Sequence, residues 1–149
     1  MVLANTYFYD NFKSPDSATN SQRITKLFQK MKLNDLSEVL VPVHWKKRHW
    51  VFIIMSRDVI RIYDSIANKG PLPKPIMQFQ QYLFKNANVP RRVEIFPQQE
   101  GNADCGVYAL CGIRSFVLGV PFEKVFLPSI AEIRKNIATE LCEWKIMEW

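Results

Sequence analysis

The residues able to do chemistry fall in three short stretches. In Asn102-Ala103-Asp104-Cys105-Gly106-Val107-Tyr108, a cysteine follows a glycine-containing polar loop and opens a long apolar run. If that run is a helix, Cys105 stands at its N-terminus. Unpaired N–H groups and the helix dipole favour a thiolate there. Gly106 leaves the approach to the sulfur uncrowded and lets a bound peptide run close to the backbone. This is what a nucleophile requires; the plainer alternative is a cysteine buried on a core helix.

A thiolate nucleophile also needs a base, a group that orients the base, and donors for an oxyanion. His49 stands where the basic stretch Lys46-Lys47-Arg48 meets the apolar run at 50–55. Asp64 ends the next run, at 59–63. A hairpin reversing near Arg57 sets the two at the same end of adjacent strands, which gives the imidazole a carboxylate partner. His44 has no such partner and reads as structural or exposed. Gln98 and Gln99 lie just upstream of Cys105, and an amide held over the sulfur can donate to an oxyanion together with the Cys105 N–H. Polarity alone does not choose between the two.

The elements that must position these groups follow from periodicity. Residues 3–9 read as a strand rich in β-formers, and 21–31 as a helix with Ile24, Leu27, Phe28 and Met31 on one face. Residues 39–43 form a second strand, and 50–55 and 59–63 a central antiparallel hairpin. A proline-rich loop at 68–75 leads to a helix at 76–84, and 93–95 form a short strand. Residues 105–118 form a helix so apolar that burial nearly all round is expected. A last helix covers 129–141, with Ser129 and Glu132 spaced as a capping box. The order is α+β, with a mixed central sheet flanked by helices and the candidate nucleophile opening a buried helix.

Composition narrows the function classes. The chain has 149 residues, 48% of them apolar and 23% charged, as expected of one globular domain. No apolar run is long enough to cross a membrane, and no basic leader precedes the first strand. Three cysteines without a CxxC argue against a disulfide scaffold and for a reducing intracellular compartment, cytoplasm or nucleus. Two histidines and no thiol cluster leave no metal site, and no cofactor is called for. The net charge of +6 fits an acidic protein partner and gives weak support to nucleic acid.

The ordered set His49-Trp50, Tyr63-Asp64-Ser65 and Gln99 with Asp104-Cys105-Gly106 resembles the ubiquitin-like-protein proteases. These are the SUMO-specific proteases and relatives, in the clan of the adenovirus maturation protease. The stretches 5–9, 41–44 and 133–141 resemble the family's early strand, its strand before the histidine and its closing helix. The resemblance implies a papain-like or adenain-like fold and a thiol protease or isopeptidase. Cys105 would attack, His49 would move the proton, Asp64 would orient the ring, and Gln99, six residues before the nucleophile, would hold the oxyanion. Trp50 would cover the Gly-Gly tail of SUMO, ubiquitin or NEDD8, with Asp104 and Gly106 beside it at the substrate. Cys111 and Cys142 would be structural.

The family domain has a preceding segment that carries a second tryptophan wall. This chain, one catalytic domain over 1–149, is expected to lack it, either as a piece of something larger or as a reduced member with a looser groove. Two other readings stand beside the first. One is a viral or mobile-element maturation protease that cuts a polyprotein. The other is a non-catalytic module that binds a ubiquitin-like protein. The aromatic tail at 142–149 would pack on the sheet or contact a partner.

Overall fold

Alternate residues of a strand face opposite sides of a sheet, so a strand that is apolar throughout must be covered on both. The middle stretches of the two longest described strands, 39–43 and 51–55, are of that kind. The computed structural model describes residues 2–3, 38–45, 48–66, 74–85, 89–126 and 128–144. Five strands form one sheet in the order β1-β2-β3-β4-β5. They are β1 (Val2–Leu3), β2 (Glu38–Trp45), β3 (His49–Ser56), β4 (Ile60–Tyr63) and β5 (Arg91–Val93). β2, β3 and β4 are antiparallel, and β1 and β5 run parallel to their neighbours. The sheet is therefore mixed, as expected.

Val39, Val41, Val43, Val51, Ile53 and Met55 fill one face, where they meet Ile76 and Phe79 of α1 (Lys74–Phe84). Leu40, Phe52, Ile54 and Tyr63 fill the other, against Phe96 and against Tyr108 and Ile113 of α2 (Cys105–Leu118). Two more helices, α3 (Phe122–Val125) and α4 (Ile130–Glu143), pack beside α2 through Val107, Cys111, Val125 and Ile133.

The hairpin turn lies where the spacing puts it. The Ser56 hydroxyl donates to the Val59 carbonyl at 3.2 Å and accepts from the N–H groups of Asp58 and Val59 at 3.3 and 3.2 Å. The last helix carries the expected capping box, with both the Ser129 and Glu132 side chains engaged. The Ser129 hydroxyl holds the Glu132 carboxyl below its usual range.

Several expectations need correction. β5 runs from Arg91 to Val93, shifted two residues towards the N-terminus from the predicted 93–95. The pairing that decides it is Ile60↔Arg91 through Ile62↔Val93, and it leaves Ile95 97% exposed. β-forming residue types did not mark this edge strand, whose contacts are backbone. α1 starts at Lys74, inside the predicted loop, with Pro75 in its first turn, where a missing N–H costs nothing. α2 is not buried all round: Leu110, Val117 and Leu118 are about half exposed, because one side of the helix has no layer over it among the described residues. The predicted helix at 21–31, most of the strand at 3–9 and the tail beyond Trp144 lie outside the described residues.

Gly112 sets how closely α2 approaches the sheet. A Cβ there would lie 2.2 Å from a ring carbon of Phe52 and 3.0 Å from Phe96. Phe52 cannot yield, since it stacks on Tyr63 at 4.5 Å and is edged by Phe96 and Phe116. Gly112→Ala is expected to lower stability by about 1–3 kcal/mol through overpacking. That outweighs the roughly 1 kcal/mol of helix propensity gained. A denaturant midpoint equal to or above that of the parent would show that α2 can move away freely.

Candidate active site

His49 and Asp64 meet at one end of the central hairpin. β3 outruns β4, so His49 has no ladder partner on β4, and Asp64 turns off the strand directly after Tyr63. The two side chains nevertheless meet, with His49 Nε2 2.6 Å from Asp64 Oδ1. The same oxygen accepts the Ile66 N–H at 2.9 Å, and Asp64 is 3% exposed. With Nε2–H given to the carboxylate, Nδ1 of the neutral ring carries the lone pair. That nitrogen and Asp64 Oδ2 are both buried and have no hydrogen-bond partner among the described residues.

The segment after β4 is stitched to the one after β5. Gln98 donates both its amide hydrogens to backbone, to the Asp64 and Phe96 carbonyls, each at 2.9 Å. Gln99 is held instead by Ser65. The Ser65 hydroxyl donates to Gln99 Oε1 at 2.7 Å, and the Gln99 N–H donates to the Ser65 carbonyl at 2.9 Å. This turns the Gln99 NH2 outward, where one hydrogen is given to the Gly101 carbonyl. An amide nitrogen has two hydrogens, so one remains. The two glutamines, equivalent by composition, thus have different surroundings: one braces the backbone of Asp64, the other presents its amide towards the loop before Cys105.

Cys105 opens α2 and is 6% exposed. Asp104 is the residue before it and makes no side-chain cap. Its carboxylate pairs with Arg134 of α4, at 2.6 Å from Nη2 and 3.2 Å from Nε, and the same guanidinium reaches the Ala103 carbonyl at 3.2 Å. Arg134 therefore pins the loop that ends at the Cys105 N–H.

Trp50 lies over the start of α2: a Cβ on Gly106 would sit 3.5 Å from its indole. The indole is stacked on His44, with ring centroids 4.4 Å apart and planes 8° apart. His44 thus holds Trp50 in place. The signal for it was in the sequence. His44-Trp45 and His49-Trp50 are matching pairs on adjacent strands, and the register pairs His44↔Trp50 and Trp45↔His49. Ser65, Ile66 and Arg134 were also missed, because each acts through a partner distant in the chain or through its backbone.

A cleft of about 400 Å³ opens beside the thiol, with Trp50, Cys105 and Gly106 at one end and Leu110, Ile137 and Leu141 along it. Cys111 is fully buried, and burial pushes its thiol up to about 12, so it stays protonated at neutral pH. Cys142 is exposed. The described residues hold no cluster of three or more His, Cys, Asp or Glu arranged for a metal, and no helix among them is long and apolar enough to cross a membrane.

Comparison with known proteins gives a consistent result. The sequence profile of the Ulp1 protease family, C-terminal catalytic domain, matches residues 1–144. Sentrin-specific protease 5 of Homo sapiens is 27% identical over 157 aligned positions, which cover 95% of this chain and 20% of that protein. The chain thus spans a fifth of the length of that relative. Among solved structures, the C-terminal Ulp1 protease domain in complex with Smt3, the yeast ortholog of SUMO, superposes with a TM-score of 0.71 at 18% identity, covering 95% of this chain and 67% of that one. The Xanthomonas campestris effector XopD bound to ubiquitin gives a TM-score of 0.64 at 18% identity, covering 93% and 77%. These likenesses show the fold: an α+β domain whose mixed sheet is flanked by helices.

Proposed function

Because the chain belongs to the Ulp1 protease family, we propose that it is a thiol protease or isopeptidase that cleaves after the C-terminal Gly-Gly of a ubiquitin-like modifier. Cys105 is the nucleophile, His49 the base, Asp64 the orienting group and Gln99 the oxyanion donor. The observation that carries this reading is the His49–Asp64 contact of 2.6 Å. It commits one ring nitrogen to the carboxylate and leaves the other, Nδ1, buried and unpartnered. An imidazole held in one tautomer with its lone pair free is a base without a proton to accept until a thiol supplies one.

The steps follow from those roles. Nδ1 takes the proton of the Cys105 thiol, and the sulfur attacks the carbonyl of the terminal glycine. The Cys105 N–H and the remaining Gln99 amide hydrogen receive the oxyanion. Nδ1 then returns its proton to the leaving amine, and water releases the acyl group by the reverse path. Trp50, braced by His44, covers the glycines, and Gly106 gives their backbone room beside the thiol. Asp104 acts at the substrate end of the loop through its pairing with Arg134. The partner is a ubiquitin-like protein or its conjugate, whose acidic surface the +6 net charge attracts. A thiolate nucleophile calls for a reducing compartment, and three cysteines without a CxxC support that reading.

The test is a panel of electrophilic probes built on the tails of SUMO, ubiquitin and NEDD8. A covalent adduct at Cys105 with at least one of them is expected, and no adduct in Cys105→Ala. Failure of every probe to label the protein would sink the reading. Within it, Gln99→Ala is expected to lower kcat by about 100- to 1,000-fold, the usual loss for one oxyanion donor. If Gln98→Ala cost more in kcat, at equal folded stability, the assignment of the donor would pass to Gln98.

A further inference from the structure

We propose that the open edge of β5 pairs with β5 of a second copy of this chain, antiparallel about Val93, and joins two five-stranded sheets into one. The inference uses the sheet edge and none of the residues around Cys105, so it stands or falls apart from the protease reading.

The backbone leaves this edge open. In a parallel pair, successive residues turn their N–H and C=O groups alternately towards the neighbour and away from it. The Ile60 N–H donates to the Pro90 carbonyl at 3.0 Å, and the Glu94 N–H to the Ile62 carbonyl at 2.9 Å. The even-numbered residues therefore face β4, and the N–H and C=O groups of Arg91, Val93 and Ile95 face outward. Among the described residues none of these outward groups is paired. Such a row is a template for another strand, and edges that stay single are commonly blunted by charge or proline. Pro90 and Pro97 bound this edge. Between them Val93 is 59% and Ile95 97% exposed, which is the reverse of blunting.

The run Arg91-Arg92-Val93-Glu94-Ile95 selects the occupant, because it is complementary to itself. In an antiparallel pair centred on Val93, Arg92 of each copy stands opposite Glu94 of the other. Val93 meets Val93, and Arg91 meets Ile95. The outward backbone groups belong to Arg91, Val93 and Ile95, so these are the hydrogen-bonded positions. Arg92 and Glu94 take the positions between, where facing side chains approach most closely. Neither has an ion-pair partner among the described residues. Moving the centre by one residue would set Arg92 against Arg92 or Glu94 against Glu94, so charge fixes the register. The Arg91 stem of one copy covers the bare Ile95 of the other. The pairing is isologous and closes at two copies.

Sedimentation velocity over a concentration series reaching about 1 mM tests this. One short strand makes a small interface, so a weak dimer is expected. The mass should be that of the 17.5 kDa chain at the dilute end and rise towards twice that value. Arg92→Glu and Glu94→Arg each set like charges face to face and are expected to weaken association about tenfold. The two changes together should restore it. Val93→Pro removes an N–H that β4 does not use, so this variant should keep the thermal midpoint of the parent and remain a monomer. Amide exchange at Arg91, Val93 and Ile95 should slow as the parent associates. Loss of the dimer in the single variants and its return in the double one support the proposal. A parent that is monomeric throughout the series overturns it. So does a dimer that survives Val93→Pro, or a double variant that associates no better than the single ones.

Discussion

Cys105→Ala is expected to lower turnover by roughly a millionfold, the scale on which loss of a nucleophile acts, while substrate binding stays near that of the parent. The change removes one sulfur from a site 6% exposed and leaves the Cys105 backbone N–H and the start of α2 in place. The Asp104–Arg134 pair and the His44–Trp50 stack, which shape the ground around the thiol, do not use the sulfur. Neither of the other thiols is a substitute. Cys111 is fully buried, and its thiol is pushed up to about 12, so it offers no thiolate at neutral pH. Cys142 is exposed near the end of α4 and is not part of the cleft lining. Hydrolysis of a fluorogenic modifier conjugate and calorimetric binding of the same modifier separate the two effects. Residual turnover near the parent rate would refute the nucleophile. Loss of binding with loss of turnover would mean that the sulfur also shapes the groove.

The parts of this site legible in the sequence are those fixed by local geometry. A hairpin reverses the chain about its turn, so His49 and Asp64 could be placed at the same end of adjacent strands from their distance to Ser56 and Arg57. The bounds of α2 were legible because a polar loop stops at Asp104 and Gly119 takes the left-handed conformation, at φ 66°, that ends the helix. What was not legible depends on segments that meet only after folding. Arg134 finds Asp104 across thirty residues of chain. Gln98 and Gln99 are distinguished by Asp64 and Ser65, which lie thirty-four residues away. The edge strand β5 is set by backbone pairing to Ile60–Ile62, which leaves no pattern in its own exposed side chains. The half-exposed Leu110, Val117 and Leu118 of α2 were misjudged for a related reason: apolar content reports how much a helix can bury, not which side its neighbours leave open.

The second large effect concerns Asp64, and two substitutions there separate charge from orientation. Asp64→Ala is expected to lower kcat/KM by about 10,000-fold, as loss of the third member of a triad does. It frees the ring of His49 and leaves the Ile66 N–H without its acceptor. Asp64→Asn is expected to cost distinctly less. The acceptor Oδ1 serves two donors at once, His49 Nε2–H at 2.6 Å and Ile66 N–H at 2.9 Å. An asparagine can satisfy both only with its carbonyl oxygen in that place. Its NH2 would oppose the Ile66 N–H if the amide were turned over. The amide is therefore held with oxygen towards the ring, Nε2 keeps its hydrogen, and Nδ1 keeps the lone pair that the thiol needs. What is lost is the negative charge that stabilises the ring when it takes up the proton. The new NH2 falls where Oδ2 is already buried and unpartnered, so it becomes an unmatched donor that costs about 1–3 kcal/mol of stability. The expected signature is thus a variant less stable than the parent in denaturant, yet more active than Asp64→Ala. If the two substitutions proved equally inactive at full folding, the Ile66 N–H would not be fixing the tautomer, and the charge of Asp64 alone would carry its role.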